Sequence, residues 1–229
     1  MDERRSWQQR IHAQLFHQGC PPITALLSKA GRETLTGVQL SATPQRFEAL
    51  VRVDLSAAGR QYVDTALRRI DGLTAEIKPL RAQLVNFARH QPGCQALQAR
   101  HYGVGWLSAA ILWAEIGDPR RFRNSDQLVR FAGLDITVYS SDTKRAPGHL
   151  ARQGSPELRW AAFEAAKCAA RPGSPDYAYY HKVAARKDGK RPTLAVERKI
   201  LRRCYHTLRE LGDTALAVPT AALTKTIAA

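Results

Sequence analysis

Two adjacent serines followed by cations form the segment best suited to covalent chemistry. Ser140 and Ser141 open a basic stretch that ends at Gly154 and contains Lys144, Arg145 and Arg152. A serine that attacks a phosphodiester needs nearby cations to neutralise the charge that develops on the phosphoryl oxygens, and it needs a path for its own proton. A Ser-Ser-Asp sequence is also typical of a plain turn, and the residues by themselves favour that alternative.

A second segment has the composition of a phosphate-binding turn. Gly103-Val104-Gly105 separates helices predicted at 95–101 and 106–116. Two glycines permit a tight hairpin and leave backbone N–H groups free at the start of the second helix, where phosphate is attracted. We interpret the segment as a helix-hairpin-helix-like unit that grips a DNA backbone through Gly103 and Gly105. The alternative is that these glycines only allow two helices to pack closely.

The charge of the chain indicates a polyanionic partner. There are 35 Lys and Arg residues against 20 Asp and Glu, which gives a formal net charge of +15. Each phosphate contact releases condensed counterions, so nucleic acid is the expected partner. We expect the DNA-facing residues of the C-terminal half to include Arg202 and Arg203, together with Lys187, Lys190, Arg191 and Arg198. The alternative is a solvated basic surface without a partner.

The sequence supports neither a metal or cofactor site nor a secreted or membrane protein. The four cysteines and seven histidines lack metal-ligand spacing, and the acidic residues are scattered over predicted helices, so we expect no metal and no cofactor in this chain. The charged N-terminus does not resemble a secretory signal, and no apolar run reaches the roughly 18 residues of a membrane span. We expect a cytoplasmic, nucleoid-associated protein with no membrane partner.

The elements that carry these residues predict a mainly α fold. Residues 1–43 form an N-terminal helical segment, 44–92 a long helical arm, 93–212 a compact helical domain and 213–229 a poorly ordered tail. Apolar residues in the arm follow alternating steps of three and four, which is typical of a coiled coil or a long helix in a bundle; they are Val63, Ala66, Ile70, Leu73, Ile77, Leu80, Leu84 and Phe87. Pro79 is expected to kink or divide this helix.

Residues 102–211 resemble the C-terminal transposase domain of the IS-one-ten insertion-sequence family, which also includes the RNA-guided bridge recombinases. The resemblance rests on GVGWLSAAILWAEIGDPRRF, QLVRFAGL, SSDTKRAPGHLARQGSPELRWAAFEAA and KILRRCYHTLREL, in that order. The helical arm is similar to the coiled-coil region of the same family. The resemblance implies DNA as the partner, leaves a guide RNA open as a second one, and implies a homo-oligomer, a dimer or a tetramer, that forms through the arm.

The resemblance also implies a serine nucleophile and a second catalytic domain. In the family a serine stands eight residues after the glycine that closes the preceding helix; counted from Gly133, that residue is Ser141, with Ser140 as its close neighbour. Asp142 departs from the family, which commonly has glycine there. The RuvC-like domain of the family, with its four acidic ligands for a divalent metal such as Mg²⁺, has no matching positions in this sequence.

Two functions follow from this reading. The first is a DNA-binding part of a transposase that cleaves and exchanges strands through Ser141 but is incomplete without a RuvC-like domain. The second is a non-catalytic DNA-binding fragment that associates with intact copies through its helical arm. An accessory helix-hairpin-helix protein unrelated to transposition is a third alternative.

Overall fold

The structure of the chain, a computed structural model, is mainly helical. It describes residues 2–20, 22–36, 55–137, 140–141, 144–145, 149–151, 153–186 and 189–217, and only the backbone of the strand residues between 136 and 149. Within these ranges the α-helices are α1 (Asp2–His17), α2 (Lys29–Thr36), α3 (Ala57–His90), α4 (Pro92–Arg100), α5 (Trp106–Ile116), α6 (Ser125–Phe131), α7 (Pro156–Lys167), α8 (Tyr177–Ala184) and α9 (Arg191–Leu211). The predicted mainly α class is confirmed.

The shorter elements lie in the C-terminal two thirds of the chain. Three 3-10 turns occupy Pro119–Arg121, Cys168–Ala170 and Gly212–Ala215. The strands are β1 (Ile136–Thr137), β2 (Ser140–Ser141), β3 (Lys144–Arg145) and β4 (His149–Leu150). The predicted tail from Asp213 therefore begins inside a 3-10 turn whose Ala215 is buried, and residues 218–229 lie outside the described part of the chain.

The chain folds as two compact units, Met1–Leu80 and Arg81–Ala229. The first unit has one apolar core that draws residues from α1, α2, α3 and the segments just before α2 and α3, namely Ile11, Leu15, Leu26, Leu35, Leu55, Val63, Ala66, Leu67 and Ile70. An ion pair adds to this packing, because Arg32 of α2 donates two hydrogen bonds to the Asp71 carboxylate of α3. The hydrogen bonds from Arg32 hold the pKa of Asp71 below its usual range.

The predicted heptad seam, the apolar residues of α3 from Val63 to Phe87 at steps of three and four, has two parts that differ in burial. Val63, Ala66 and Ile70 are buried in the core of the first unit, as the bundle alternative expects. Farther along α3, Leu73 and Ile77 are only half-buried and Leu80 is 63% exposed. The described residues therefore cover the seam only in part between Leu73 and Leu84, whereas Phe87 packs against Trp113 with ring centroids 5.6 Å apart.

Pro79 does not divide α3, which runs without interruption from Ala57 to His90. Proline removes one backbone hydrogen bond in a helix interior and crowds the carbonyl four residues earlier. That carbonyl belongs to Ala75, which is exposed, so water can satisfy it. The expected division of the arm into two helices was wrong for this reason.

The core of the second unit surrounds α9. One face of α9 is apolar and buried, and it includes Val196, Ile200, Leu201, Cys204 and Leu208. The alanines of α7 at 161, 162, 165 and 166 are buried as well, and such small side chains let neighbouring helices approach closely. These helices supply a rigid base for the segment between α6 and α7.

That segment carries two short ladders, and we call its described residues, 134–137, 140–141, 144–145, 149–151 and 153, the β-arm. β1 pairs antiparallel with β4, with Ile136 opposite Leu150, and this ladder is the base of the arm. β2 pairs antiparallel with β3 in the outer ladder. The alternation of apolar and polar residues over 134–140 predicts an extended stretch, with which β1 and the start of β2 agree, but the sequence predicts a loop from Ser140 to Gly154, where β2, β3 and β4 are found. Two-residue ladders are too short for a periodic hydrophobic pattern, and this accounts for the difference.

Glycines bound the β-arm at both ends. Gly133 follows α6 with φ +69°, and Gly154 precedes α7 with φ +95°. A Cβ atom on Gly154 would lie 1.8 Å from the carbonyl oxygen of Phe131. Only glycine can therefore occupy position 154 without moving the end of α6.

Substitution of Gly154 tests this steric constraint. Gly154→Ala should lower the free energy of unfolding by about 3 kcal/mol, because strain from a left-handed φ adds to a backbone collision. Gly189→Ala is the matched control, since Gly189 has φ +71° but open space around its Cα; it should cost about 1 kcal/mol. Urea denaturation measures both losses, and equal losses would contradict the collision with Phe131.

Candidate nucleic-acid interface

The register of the β-arm places each serine opposite a basic residue. Ser141 pairs with Lys144, and Ser140 pairs with Arg145. Residues directly opposite in an antiparallel ladder share one face of it, and successive pairs alternate between the two faces. Four of the predicted site residues therefore meet in one small hairpin. Arg152 lies outside the described residues, as do the side chains of these four.

Two arginines anchor the base of the β-arm. Arg159 of α7 donates to the carbonyl oxygens of Ala132, Gln153 and Gly154, at 3.1, 3.3 and 3.1 Å. Arg198 of α9 donates from Nε to the carbonyl of Leu134 at 2.8 Å. Hydrogen bonds from a charged donor are stronger than those from a neutral one. The arm is thus fixed at its base to the two helices that form the core of the unit.

A groove of about 1270 Å³ opens beside this base. Helices α7 and α8 and the start of α9 each present a face of residues at helical spacing to it. These faces are Pro156, Arg159, Trp160 and Phe163; Tyr179, Lys182, Val183 and Arg186; and Arg191, Leu194, Ala195 and Arg198. Gly133, Leu134, Leu150, Lys190 and Glu197 complete the lining.

The groove carries a strong excess of positive charge. Its lining includes the basic residues Arg159, Lys182, Arg186, Lys190, Arg191 and Arg198, against one acidic residue, Glu197. The four between 182 and 191 are exposed, and they make no ion pair within the described ranges. Clustered cations without acidic partners create a positive field that attracts polyanions.

Glu197 is buried in the floor of the groove, with only 3% of its surface exposed. Burial raises the pKa of Glu197 to about 7, against the opposing effect of Arg198 and Arg159. It makes no hydrogen bond or ion pair within the described residues. Near neutral pH its carboxyl group is therefore poised between its two protonation states.

Aromatic side chains accompany the cations. Trp160 is 37% exposed and Tyr179 is 39% exposed, while Phe163 is half-buried beside them in the lining. The ammonium group of Lys199 lies 4.2 Å from the centroid of the Tyr179 ring, which favours its orientation through a cation–π contact. Exposed aromatic rings interleaved with cations are typical of surfaces that bind nucleic acids.

Arg202 and Arg203 lie elsewhere, and both are paired with carboxylates. Arg202 donates from Nε to the exposed Asp126 at 2.8 Å. Arg203 forms a double hydrogen bond with the buried Asp176, at 2.6 and 2.9 Å, and Lys199 adds a third contact at 2.8 Å. Burial raises the pKa of Asp176, but the hydrogen bonds from Arg203 and Lys199 outweigh it and leave the pKa below its usual value. Arg203 therefore has a structural partner, and neither arginine lines the groove.

Gly103 and Gly105 have different environments. Gly103 has φ +86°, and a Cβ there would lie 2.5 Å from the carbonyl oxygen of Ala165 in α7. This close approach is what the packing alternative requires. Gly105, with φ −83°, is the N-cap residue of α5 and has open space around its Cα. The phosphate-binding interpretation stays a prediction, and its remaining basis is the helix start at Gly105.

Several groove residues were missed from sequence. Lys190, Arg191 and Arg198 were expected to face DNA and do line the groove, whereas Lys187 lies outside the described residues. Arg159, Trp160, Tyr179, Lys182 and Arg186 were not singled out. Their signal is the recurrence of basic and aromatic residues at steps of three and four along α7 and α8, which a search for adjacent arginines does not detect.

Two further observations concern metals and membranes. The described residues hold no group of three or more His, Cys, Asp or Glu side chains that could bind a metal ion. The described residues thus offer no set of side chains for the metal site that the resemblance implies for a RuvC-like domain. No helix in the described ranges has the length and apolar character to cross a bilayer.

Comparison with known proteins places these features in one family context. Residues 94–181 match the transposase IS116/IS110/IS902 family. That segment holds the β-arm, α7 and part of α8. The chain is also 29% identical over 186 residues to an uncharacterized 43.6 kDa protein of insertion element IS110 from Streptomyces coelicolor. This alignment covers 76% of the chain and 45% of the relative, so the chain spans less than half of that protein. Together the two likenesses confirm the resemblance of this chain to the IS116/IS110/IS902 family of transposases.

Proposed function

We propose that the chain is the DNA-binding C-terminal part of an insertion-sequence transposase or recombinase, in which a serine of the β-arm exchanges DNA strands. The likeness to the IS116/IS110/IS902 family supports the transposase role. The observation that carries DNA binding is the groove at the base of the arm, where six basic side chains face one acidic residue.

The pairing of charges explains why the groove is preferred over other basic surfaces. Arg202 and Arg203 already hold carboxylates, so a phosphate would have to compete with Asp126 and Asp176. Lys182, Arg186, Lys190 and Arg191 have no such competitor within the described residues. Phosphates that bind them release counterions and lose no existing ion pair, and this favours the groove.

In the proposed reaction the Ser141 hydroxyl attacks a DNA phosphorus. An Oγ–P bond forms, the P–O bond to one deoxyribose breaks, and the serine proton goes in net terms to the leaving deoxyribose oxygen. The phosphodiester is conserved as a phosphoserine link, so a second deoxyribose hydroxyl can reverse the step on another strand. Lys144 stands opposite Ser141 in the ladder and is the residue proposed to neutralise the developing negative charge.

Asp142 and the RuvC-like domain bear on whether this chain acts alone. Asp142 adds a negative charge next to the proposed nucleophile. The resemblance assigns metal-dependent chemistry to a RuvC-like domain. The second candidate is a DNA-binding fragment without strand-exchange activity that pairs with complete copies through α3, and the exposure of Leu80 in the α3 seam favours it.

Binding to duplex DNA is tested first by salt dependence. The logarithm of the affinity should fall linearly with the logarithm of salt concentration. Replacing Lys182 and Arg186 together by Ala should weaken binding about tenfold and reduce that slope by about 2. Arg202→Ala is the matched control outside the groove and should change affinity less than about twofold. Fluorescence anisotropy with a 20-bp duplex measures each, and a flat salt response of the parent chain would count against DNA binding.

The serine assignment is tested by covalent adducts. The chain, supplied with the RuvC-like domain of a complete family transposase, is produced together with DNA of its insertion element, denatured, and searched by mass spectrometry for peptides that carry a nucleotide. Ser141→Ala should abolish the adduct while duplex binding stays unchanged, and Ser140→Ala should retain it. An adduct on Ser140 would sink the assignment of Ser141. Absence of any adduct in the parent chain would favour the non-catalytic candidate.

Self-association through α3 is tested by oligomeric state. Leu73, Ile77 and Leu80 continue the heptad spacing where the described residues leave it partly or largely exposed, which suits knobs-into-holes packing against a second copy. Leu80→Lys should shift the chain from dimer or tetramer to monomer in sedimentation velocity. Ala75→Lys, an exposed change off the seam, should leave the oligomer intact. An identical response of both variants would exclude the seam as the interface.

A further inference from the structure

We infer that the floor of the groove captures an unpaired DNA nucleobase, which stacks on Trp160 and Tyr179 and is contacted at its edge by Glu197. The inference rests on the proposed binding of DNA in the groove and goes further in naming the form of DNA that is bound. The proposed ligand is an unpaired nucleotide in a distorted or open duplex. A regular duplex would present only its outer phosphates to the groove.

The aromatic residues of the groove provide surfaces on which a base can stack. Trp160 of α7 and Tyr179 of α8 lie on the groove-facing sides of two different helices, and each keeps more than a third of its surface exposed. Rings with this much accessible surface can be covered by a ligand, and that burial is favourable. Base stacking covers such rings without demanding a particular base. A regular duplex cannot supply this contact, because its base faces are already stacked on one another.

The carboxyl group of Glu197 provides a hydrogen-bond acceptor for the edge of the base. Glu197 has no hydrogen-bond partner among the described residues, although it lines the groove and is almost fully buried. Its carboxylate oxygens are not among the fully enclosed unpaired polar atoms of the described residues, so they are open to the groove. An exocyclic amine on a base would donate a hydrogen bond to this carboxylate. Arg159 and Arg198 flank Glu197 and favour its ionised form, but they are engaged with the base of the β-arm.

The dimensions and charges of the groove agree with this ligand. Its volume of about 1270 Å³ exceeds the roughly 300–1,000 Å³ of most small-molecule sites. A base can therefore enter together with its sugar and flanking phosphates. The exposed cations at 182, 186, 190 and 191 are available for those phosphates, while the rings and Glu197 take the base.

The experiment compares three DNA probes that carry the same phosphates in the unpaired segment. A labelled duplex contains a bulge of three cytosines, three thymines or three abasic sites, and a fully paired duplex serves as reference. At pH 8 the full chain should bind the cytosine bulge about tenfold or more tightly than the abasic bulge, as stacking predicts. It should also prefer cytosine to thymine, which presents a carbonyl where cytosine presents an amine.

Substitutions in the groove floor separate the contribution of base stacking from that of the Glu197 contact. Trp160→Ala and Tyr179→Ala should each reduce the ratio of cytosine-bulge to abasic-bulge affinity. Tyr177→Ala is the matched control, since Tyr177 is on the same helix as Tyr179, is 37% exposed and does not line the groove; it should leave the ratio unchanged. Glu197→Gln should remove the preference for cytosine over thymine, because an amide can both donate and accept.

The outcomes distinguish this inference from the proposed function. Equal affinity for cytosine and abasic bulges, together with salt-dependent duplex binding, would overturn base capture and leave DNA binding in place. Failure to bind any of the probes would overturn both. A cytosine preference that survives in Glu197→Gln would remove Glu197 from the base contact.

Discussion

The hydrogen bonds from Arg159 to three backbone carbonyls are the contact on which the candidate site depends. The β-arm is held by two ladders of two residue pairs each, and so short a hairpin is marginal by itself. One guanidinium joins both sides of its base, Ala132 before the arm and Gln153 and Gly154 after it. Because Arg159 belongs to α7, it also joins the arm to the helix that forms one wall of the groove.

The distribution of paired and unpaired charges separates structure from recognition. Asp176 is buried and satisfied by Arg203 and Lys199, so those cations hold α8 to α9. The cations of the groove face solvent without such partners in the described residues. The net charge of +15 does not distinguish the cations that are paired with carboxylates from those that line the groove. Both groups contain arginine and lysine at similar positions along the sequence.

Much of the fold followed from the sequence, but the assembled groove did not. Local signals in the sequence mark the helices: Asn124 and Ser155 cap α6 and α7, and glycine follows α5, α6 and α9. The groove depends instead on how α7, α8 and the start of α9 pack, and that arrangement is set by long-range contacts of α9. Adjacent residues such as Arg202 and Arg203 attract notice in a sequence, yet neighbours on a helix point in different directions. Residues that share a face, such as Tyr179 and Lys182, are three or four apart.

The register of the two ladders in the β-arm decides which residues lie opposite the serines. Two residues separate β1 from β2, whereas three separate β3 from β4, so the outer ladder is displaced by one residue from the inner one. An undisplaced ladder would pair Ser141 with Arg145 and would leave Ser140 opposite Ala146. The displacement gives each serine a cationic neighbour, one on each face of the hairpin. Removal of one residue between β3 and β4 would leave two connecting residues on each side, and an undisplaced ladder would then keep Lys144 opposite Ser141 and Arg145 opposite Ser140.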